Sequence, residues 1–370
     1  MRQRWLILSV SVLGLFAATL SDADGCAPAM RDGDGVGINA EMALIAWNSK
    51  TRTEHFVRSA EFLTDAKDFG FLVPTPTEPT LAEVNAGIFK RLDILTRAKT
   101  RYKNVVTSVF RMFAAGPGAG RETSASPSRG SVQILNQQTV AGYDAAVLKA
   151  NDATALAEWL EANDYVVRPA LAEWLTTYVE NDWVITAFKF SRQTDAARSV
   201  YAQPVRLSLK TDKPFYPYRE PADMRGEEVA ERGGKRQLRV FFLSDERYEG
   251  TLGEAGPNPA QTAFANSIDA DMLFSIKGST KLSEEELGLT ANSWVTEFED
   301  NSWPRNGIDE LYFHKSQDQS TVERPTIWRN RNTTDYYPNL PRATMWLGLA
   351  FLLPAVWILK KKFAANRSVR

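Results

Sequence analysis

Few residues in this chain have the chemistry of catalysis or metal binding. Among 370 residues there are two histidines, His55 and His314, and one cysteine, Cys26. The histidines lie in unrelated segments and form no pair at helical spacing, so no zinc-binding pattern can be written. No Gly-x-Ser-x-Gly sequence is present to identify a nucleophilic serine. The sequence therefore nominates no catalytic, metal-ligating or cofactor-binding residue, and we expect no cofactor.

A dispersed active site is the enzymatic alternative, because catalytic groups meet in space rather than in sequence. Its candidate residues are Glu54, His55 and Asp68. Side chains of a strand alternate between two faces, so Glu54 and Arg58 would share one face and His55 would lie on the other. This pattern favours an exposed face of ion pairs over a ligand site.

The elements that must position these residues begin with a β-hairpin, predicted over residues 40–64 from two apolar, β-prone runs that flank a turn. A third strand over residues 69–73 ends at Pro74. Apolar residues then recur every three or four positions, which predicts a helix over residues 79–99. The hairpin would hold Glu54 and His55, and Asp68 would directly precede the third strand.

The rest of the folded region alternates strands and helices, which predicts an α+β fold rich in antiparallel strands. A Gly-, Ser- and Pro-rich stretch at 116–130 predicts a flexible loop. We therefore predict an N-terminal lobe of hairpin and helix over 24–115, a second α+β lobe over 131–325, and a tether over 326–342. The second lobe should contain strands at 131–150, 183–190, 205–209, 237–243, 293–298 and 311–314, and helices at 152–163, 169–180 and 283–289.

The amino-terminal segment has the pattern of a secretory signal peptide. Arg2 and Arg4 precede an apolar run over residues 5–20, and polar residues follow it. We predict a signal peptide over residues 1–23 and hence export from the cytoplasm.

An apolar segment near the other end predicts a membrane anchor. Residues 343–359 carry no charge and are followed at once by three lysines. At about 1.5 Å per helical residue, the segment is near the shortest length that crosses a hydrocarbon core of roughly 30 Å. Positively charged flanks stay in the cytoplasm. We therefore predict one transmembrane helix over 343–359, a basic cytoplasmic tail over 360–370, and an extracytoplasmic domain held at the cell membrane.

Charge argues against nucleic acid as a partner of this domain. The formal net charge of the chain is −1, and its two ends contribute seven basic residues, so the remainder carries −8. Nucleic-acid binding needs a basic surface. The seven residues are Arg2, Arg4, Lys360, Lys361, Lys362, Arg367 and Arg370.

Several short motifs of this chain occur together in the order that is typical of one known family. They are Cys26-Ala27-Pro28-Ala29, the stretch from Glu41 to Trp47, Arg52 to Phe56 with Arg58, Asp68 to Pro76, and Pro214-Phe215-Tyr216-Pro217. With these motifs the chain resembles a bacterial exported family known only as domain of unknown function 2330. The resemblance spans roughly residues 26–243 and implies an exported, often membrane-anchored bacterial domain with no assigned activity. It supplies no catalytic residue.

These features favour a non-enzymatic, membrane-anchored protein that binds an envelope protein or a glycan. Two alternatives stay open. One is an exported hydrolase that uses Glu54, His55 and Asp68; the other is a carbohydrate- or peptide-binding module with exposed Trp and Tyr side chains, because aromatic faces suit such ligands.

Overall fold

The computed structural model describes residues 28–29, 36–64, 68–105, 133–191, 199–201, 203–225, 237–302 and 304–332. The predicted signal peptide, the 116–130 loop, the transmembrane segment and the basic tail lie outside these ranges. None of the helices in these ranges combines the length and the hydropathy of a membrane span.

The described residues form a mixed α+β fold that is rich in strands, as the sequence predicts. The strands are β1 (Pro28–Ala29), β2 (Val36–Asn48), β3 (Thr53–Thr64), β4 (Asp68–Thr75), β5 (Thr80–Glu83), β6 (Thr100–Val105), β7 (Gln133–Val140), β8 (Tyr143–Lys149), β9 (Val184–Ser191), β10 (Ser199–Tyr201), β11 (Val205–Lys210), β12 (Phe215–Tyr216), β13 (Gln237–Ser244), β14 (Tyr248–Leu252), β15 (Gln261–Ser267), β16 (Trp294–Asp300), β17 (Leu311–Lys315) and β18 (Ile327–Asn332). The α-helices are α1 (Gly87–Thr96), α2 (Ala153–Ala162), α3 (Pro169–Glu180), α4 (Ala270–Thr280) and α5 (Glu284–Leu287).

Two large sheets dominate the fold. An eight-stranded sheet has the order β15-β16-β13-β2-β3-β11-β5, with β10 also on β3, and a five-stranded sheet has the order β1-β4-β9-β8-β7. A smaller sheet follows the order β12-β17-β14. Pairing is antiparallel except between β2 and β13 and between β6 and β18.

The chain divides into two compact units. The larger comprises Met1–Ala98 and Gly118–Pro325, and the smaller comprises Lys99–Pro117 and Thr326–Arg370. Both large sheets belong to the larger unit. The described part of the smaller unit is the parallel pair β6 and β18.

The two large sheets of the larger unit pack face to face. Phe56 and Phe242 from the eight-stranded sheet share one buried cluster with Phe71 and Phe188 from the five-stranded sheet. The rings of Phe71 and Phe188 stack with centroids 4.8 Å apart. Burial of these large rings is the main favourable term that holds the sheets together.

Helices cover the outer face of each sheet. On the eight-stranded sheet, Val57 lies in a cluster with Ile88 of α1 and Ile276 of α4. On the five-stranded sheet, Leu72 and Ile185 lie in a cluster formed with α2 and α3. The result is a four-layer arrangement in which each sheet has one face on its partner sheet and the other on helices.

The sequence Leu-Ala-Glu-Trp-Leu occurs twice, once in α2 and once in α3. Trp159 and Trp174 are 6% and 4% exposed and share one cluster. Both copies therefore bury the same Leu and Trp stripe, as amphipathic helices do at this spacing. Helix α2 begins where predicted, since the Asp152 carboxylate accepts a hydrogen bond from the Thr154 amide at 2.9 Å.

The glycine of the Asp68-Phe69-Gly70 motif has a steric role. A Cβ atom at Gly70 would lie 2.4 Å from Cε1 of the buried Tyr165 ring. Strand β4 therefore packs its backbone directly on that ring, which only glycine permits.

One predicted helix is wrong in its first half. Residues 79–99 were expected to be helical, but residues 80–83 form strand β5, which pairs with β11, and only Gly87–Thr96 is α-helical. The alternation around Leu81 fits a strand as well as a helix, and the edge of β11 decides between them. Helix α4 and strands β14 and β15 have no counterpart in the prediction.

Strands from both predicted lobes, 24–115 and 131–325, share the two large sheets. Strand β2 pairs with β13, and β4 pairs with β9. Within the predicted 326–342 tether, Ile327–Asn332 forms strand β18.

Candidate functional site

Glu54 and His55, two candidates for a dispersed active site, point to opposite faces of β3. Glu54 lies on the side of the sheet interface, and His55 lies on the helix side, near α5. Asp68 is described only through its backbone, which pairs with Ser191 in strand β9. Because Glu54 and His55 face different layers, they do not form one catalytic cleft.

His55 is a fully hydrogen-bonded interior histidine. Its Nε2 lies 3.1 Å from the carbonyl oxygen of Glu286, which can only accept, so Nε2 carries the hydrogen. Its Nδ1 then accepts from Ser208 Oγ at 2.8 Å. Burial lowers the pKa of His55. The ring is therefore neutral and joins β3 to β11 and α5.

Glu54 is fully buried and binds the backbone of strand β12. Its Oε2 accepts a hydrogen bond from the Phe215 amide at 2.8 Å, while Oε1 has no hydrogen-bond partner. Burial raises the pKa of Glu54 well above its usual value. The carboxyl group therefore holds strand β12 in place and favours its neutral form.

The expected exposed ion-pair face on β3 is wrong. Arg58 is 3% exposed, and its Nε donates to Oε1 of the fully buried Glu41 at 2.8 Å. Its guanidinium lies 4.6 Å from the centroid of Phe71. Sequence periodicity indicated which face these residues share, but the second sheet covers that face.

A surface pocket of about 550 Å³ lies where the ends of several elements meet in the larger unit. We call it the aromatic pocket. The turn before β3, the end of β4, the start of β9 and strands β11, β12 and β17 all contribute to it. Its lining residues are Thr51, Arg52, Pro76, Thr77, Trp183, Lys210, Thr211, Asp212, Lys213, Phe215 and Tyr312.

Three aromatic rings line the pocket. The Trp183 and Phe215 ring centroids are 5.2 Å apart at 69°, and those of Phe215 and Tyr312 are 6.2 Å apart at 42°. Phe215 is buried, whereas Trp183 and Tyr312 are half-buried and offer part of each ring to the pocket. Burial, followed by the nearby carboxylates of Glu310 and Asp309, raises the pKa of Tyr312 to about 12, so its hydroxyl stays neutral.

Three cationic side chains, those of Arg52, Lys210 and Lys213, line the pocket. Arg52 pairs with Asp212 at 2.7 Å, and Lys213 pairs with Glu254 at 2.8 Å. Lys210 Nζ donates to the Thr51 carbonyl at 2.8 Å. The ion pairs are largely exposed, so they contribute little to stability and can exchange for charges on a ligand.

The segment that carries Phe215 is fixed from behind by buried polar contacts. Tyr218 Oη donates to Asp300 Oδ2 at 2.8 Å. Arg305 is 2% exposed and lies 3.3 Å from the same carboxylate. Trp174 Nε1 donates to the Arg219 carbonyl at 3.0 Å. These contacts tie the chain after β12 to β16 and α3, which gives the pocket a rigid floor.

A second cavity, of about 490 Å³, lies beside α2 on the five-stranded sheet. Lys189 is the one cation among its lining residues, and its Nζ binds Asp164 Oδ2 at 2.7 Å. Trp159 and Tyr165 are its aromatic lining residues. Because Lys189 is already paired with Asp164 at a half-buried position, this cavity is less suited to an anionic ligand than the aromatic pocket, whose ion pairs are largely exposed.

Within the described residues, no group of three or more His, Cys, Asp or Glu side chains is arranged to hold a metal ion. The aromatic pocket instead offers a ligand aromatic rings to pack against and positively charged side chains.

The aromatic pocket was not predicted from the sequence. Two of its aromatic residues have sequence features that could have indicated a site: Trp183 and Phe215 each lie beside a strand end, and Phe215 follows Lys213 and Pro214.

Comparison with known proteins identifies one family. The family model DUF2330, described as an uncharacterized protein conserved in bacteria, matches residues 21–306. The resemblance carried by the motifs between residues 26 and 243 is confirmed, and the match extends further toward the carboxyl end. A search of curated proteins gives no match.

One solved structure, the crystal structure of baculovirus P35, is similar at 9% sequence identity. The similarity covers 79% of this chain and 97% of the viral chain, with a TM-score of 0.33. A sequence identity and a TM-score this low do not indicate a shared function.

Proposed function

This chain belongs to DUF2330, a family of uncharacterized proteins conserved in bacteria, and we propose that it is an exported, membrane-anchored binding protein of the cell envelope. Its ligand is an acidic glycan, and its site is the aromatic pocket. The observation that carries the proposal is the meeting of three aromatic rings and three cations in one cavity.

The two kinds of side chain recognise different parts of such a ligand. Half-buried aromatic rings pack against the apolar faces of sugar rings. Arg and Lys bind carboxylate or phosphate groups through charge-assisted hydrogen bonds. A volume of about 550 Å³ is in the usual range for a small-molecule site. An acidic sugar presents both features, whereas a neutral sugar would leave the cations unused.

Export and anchoring rest on the terminal segments of the sequence. Residues 1–23 supply the signal peptide and residues 343–359 the membrane span, with the basic tail on the cytoplasmic side. The pocket would then face the compartment that contains envelope glycans. A hydrolase is disfavoured because Glu54 and His55 lie on opposite faces of β3.

Deleting residues 343–370 should release the protein from the membrane, because the deletion removes the proposed anchor. The measurement is fractionation of cells that express the full chain or the deletion, followed by immunoblotting. We expect the full chain in the membrane fraction and the deletion in the soluble extracytoplasmic fraction. Equal membrane retention of the two would overturn the proposed anchor.

Replacing Lys213 with glutamine should weaken binding of an acidic oligosaccharide about tenfold or more, because a hydrogen bond to a charged group contributes about 1.5–3 kcal/mol. The probe is oligogalacturonate, titrated into the purified protein by calorimetry. Its methyl ester, which lacks the charge, should bind the unchanged protein with a loss at least as large, because all three cations of the pocket lose their charged partner.

Lys149→Gln is the matched control. Lys149 also forms an exposed ion pair, with Asp182 at 2.8 Å, but it does not line the pocket. The control should bind oligogalacturonate like the unchanged protein. An equal effect of both substitutions, or equal affinity for the acid and its ester, would contradict the assignment of the pocket.

A further inference from the structure

The smaller unit presents a basic, aromatic strand pair. We call residues 99–105 and 326–332, which contain β6 and β18, the basic ribbon. The two strands pair in parallel, with Ile327 opposite Thr100 and Trp328 opposite Arg101. A parallel pair of this length is marginal by itself, because two strands alone bury little apolar surface.

All charged residues of the basic ribbon are positive. Its fourteen residues include no Asp or Glu, although the whole chain carries a net charge of −1. The ribbon is therefore a local concentration of positive charge in an acidic protein. Its basic residues are Lys99, Arg101, Lys103, Arg329 and Arg331.

Large apolar side chains are exposed within this positive charge. Trp328 is 55% exposed, Tyr102 53% and Ile327 46%. The cationic groups of Lys103 and Arg101 lie 5.0 and 6.0 Å from the centroid of Trp328. Exposed rings grouped together are unusual on a soluble surface and mark an interaction site.

The strand register gives both faces of the ribbon the same mixed character. Paired and alternate residues share a face, so Tyr102, Ile327 and Arg329 lie on one side. Trp328 lies on the other side with Arg101 and Lys103. Each face of the ribbon therefore carries an aromatic ring beside at least one cation. Either face can bind a surface that is both negatively charged and partly apolar.

We infer that the basic ribbon binds the anionic headgroup layer of a phospholipid membrane. Trp and Tyr rings favour the boundary between hydrocarbon and water. Lys and Arg beside them are attracted to the lipid phosphates. A nucleic acid would also attract the cations, but the exposed apolar side chain of Ile327 beside the rings favours a lipid interface.

The position of the ribbon in the chain supports this partner. Residues 333–342 separate β18 from the proposed membrane span at 343–359. A fully extended chain advances at most about 3.3–3.6 Å per residue, so the end of β18 cannot lie more than about 40 Å from the start of the span. This step rests on the proposed anchoring, since the span places the membrane near the ribbon.

The test places a fluorescent probe on the ribbon of the full chain. An environment-sensitive dye is attached at Thr100→Cys, an exposed position, in a Cys26→Ser background. The chain is inserted into vesicles of phosphatidylcholine alone or mixed with phosphatidylglycerol, and quenching of the dye by uncharged acrylamide is measured. We expect several-fold weaker quenching in the anionic vesicles, with the difference abolished by high salt, because salt screens these charges.

Two controls separate lipid contact from other effects. A dye at Phe274→Cys, on α4 and 76% exposed in the native side chain, should be quenched equally in both vesicles. The charge reversal Lys103→Glu with Arg329→Glu should restore strong quenching at position 100, while Lys103→Arg should not. The salt response of the unchanged ribbon is an independent check if the reversed variant does not fold.

Vesicle flotation separates this proposal from the anchoring proposal. A chain that fails to float with vesicles contradicts the anchor. A chain that floats, but whose dye at position 100 is quenched equally in both lipids or ignores charge reversal and salt, overturns lipid binding by the ribbon.

Discussion

Replacing Arg58 with methionine should lower the free energy of unfolding by about 3–5 kcal/mol, the usual cost of breaking a buried ion pair. Arg58 and Glu41 are almost completely buried, with Nε and Oε1 2.8 Å apart. The substitution removes the guanidinium and leaves the Glu41 carboxylate without that charge in the interior. Urea denaturation of the full-length protein measures the change.

Arg52→Met is the matched control, because Arg52 precedes the same strand and also pairs with an acid. Its partner Asp212 is 84% exposed, and Arg52 itself is 69% exposed. Such pairs contribute about 0–1 kcal/mol. A loss at Arg58 no larger than the loss at Arg52 would contradict the assigned role of the buried pair.

The double variant Glu41→Leu with Arg58→Met should recover much of the loss, because apolar side chains of similar size often replace a buried ion pair without net cost. The methionine would lie against Phe71, which now contacts the guanidinium at 4.6 Å. Unfolding of the double variant beside both single variants gives the coupling energy. A double variant less stable than either single one would show that the pair holds further polar contacts.

Replacing Glu54 with glutamine should stabilise the protein at neutral and alkaline pH. The pKa of Glu54 is raised in the folded state, mainly by burial. Its contribution to stability is therefore complete below the pKa of the unfolded chain and is lost as pH rises toward the folded pKa. The loss is about 1.4 kcal/mol per pH unit in that window. Glutamine keeps an acceptor for the Phe215 amide and cannot ionise, so unfolding measured from pH 5 to pH 8 should depend less on pH.

Two other buried groups provide internal references for the Glu54 measurement. The pKa of Glu310 is also raised by burial, so the alkaline slope should decrease in Glu54→Gln without vanishing. The pKa of His55 is lowered by burial, so stability should fall as pH drops below about 6.5, where the unfolded histidine gains a proton. That acid-side loss should be the same in Glu54→Gln and the parent. An unchanged alkaline slope would show that Glu54 is ionised in the fold.

Much of the local structure follows from the sequence. The β2–β3 hairpin, helix α2 with its Asp152 cap and helix α3 with Pro169 at its start match their predictions, because turn residues, caps and apolar spacing act within a few residues. The 79–99 segment is the informative failure. Its apolar spacing fits both a strand and a helix. Pairing of β5 with the distant β11 makes residues 80–83 a strand.

The convergence of residues at the aromatic pocket could not be predicted from local sequence patterns. Arg52, Trp183, Lys213, Phe215 and Tyr312 come from four separate regions of the sequence, and no spacing rule connects them. Their convergence depends on strand order, in which β11 lies beside β3 and β12 pairs with β17. Long-range pairing of this kind is a property of the complete fold, and a local pattern does not contain it.

The sequence by itself determined the family, the α+β character and the alternation that separates Glu54 and Arg58 from His55 on β3. It did not determine whether those residues face water. That depended on the five-stranded sheet packing over one face and helices over the other, which turns an expected surface of ion pairs into a buried pair, a buried carboxyl group with a raised pKa and a hydrogen-bonded histidine. The physical reason is that burial is a cooperative outcome of all layers, whereas periodicity is set by the backbone of one strand.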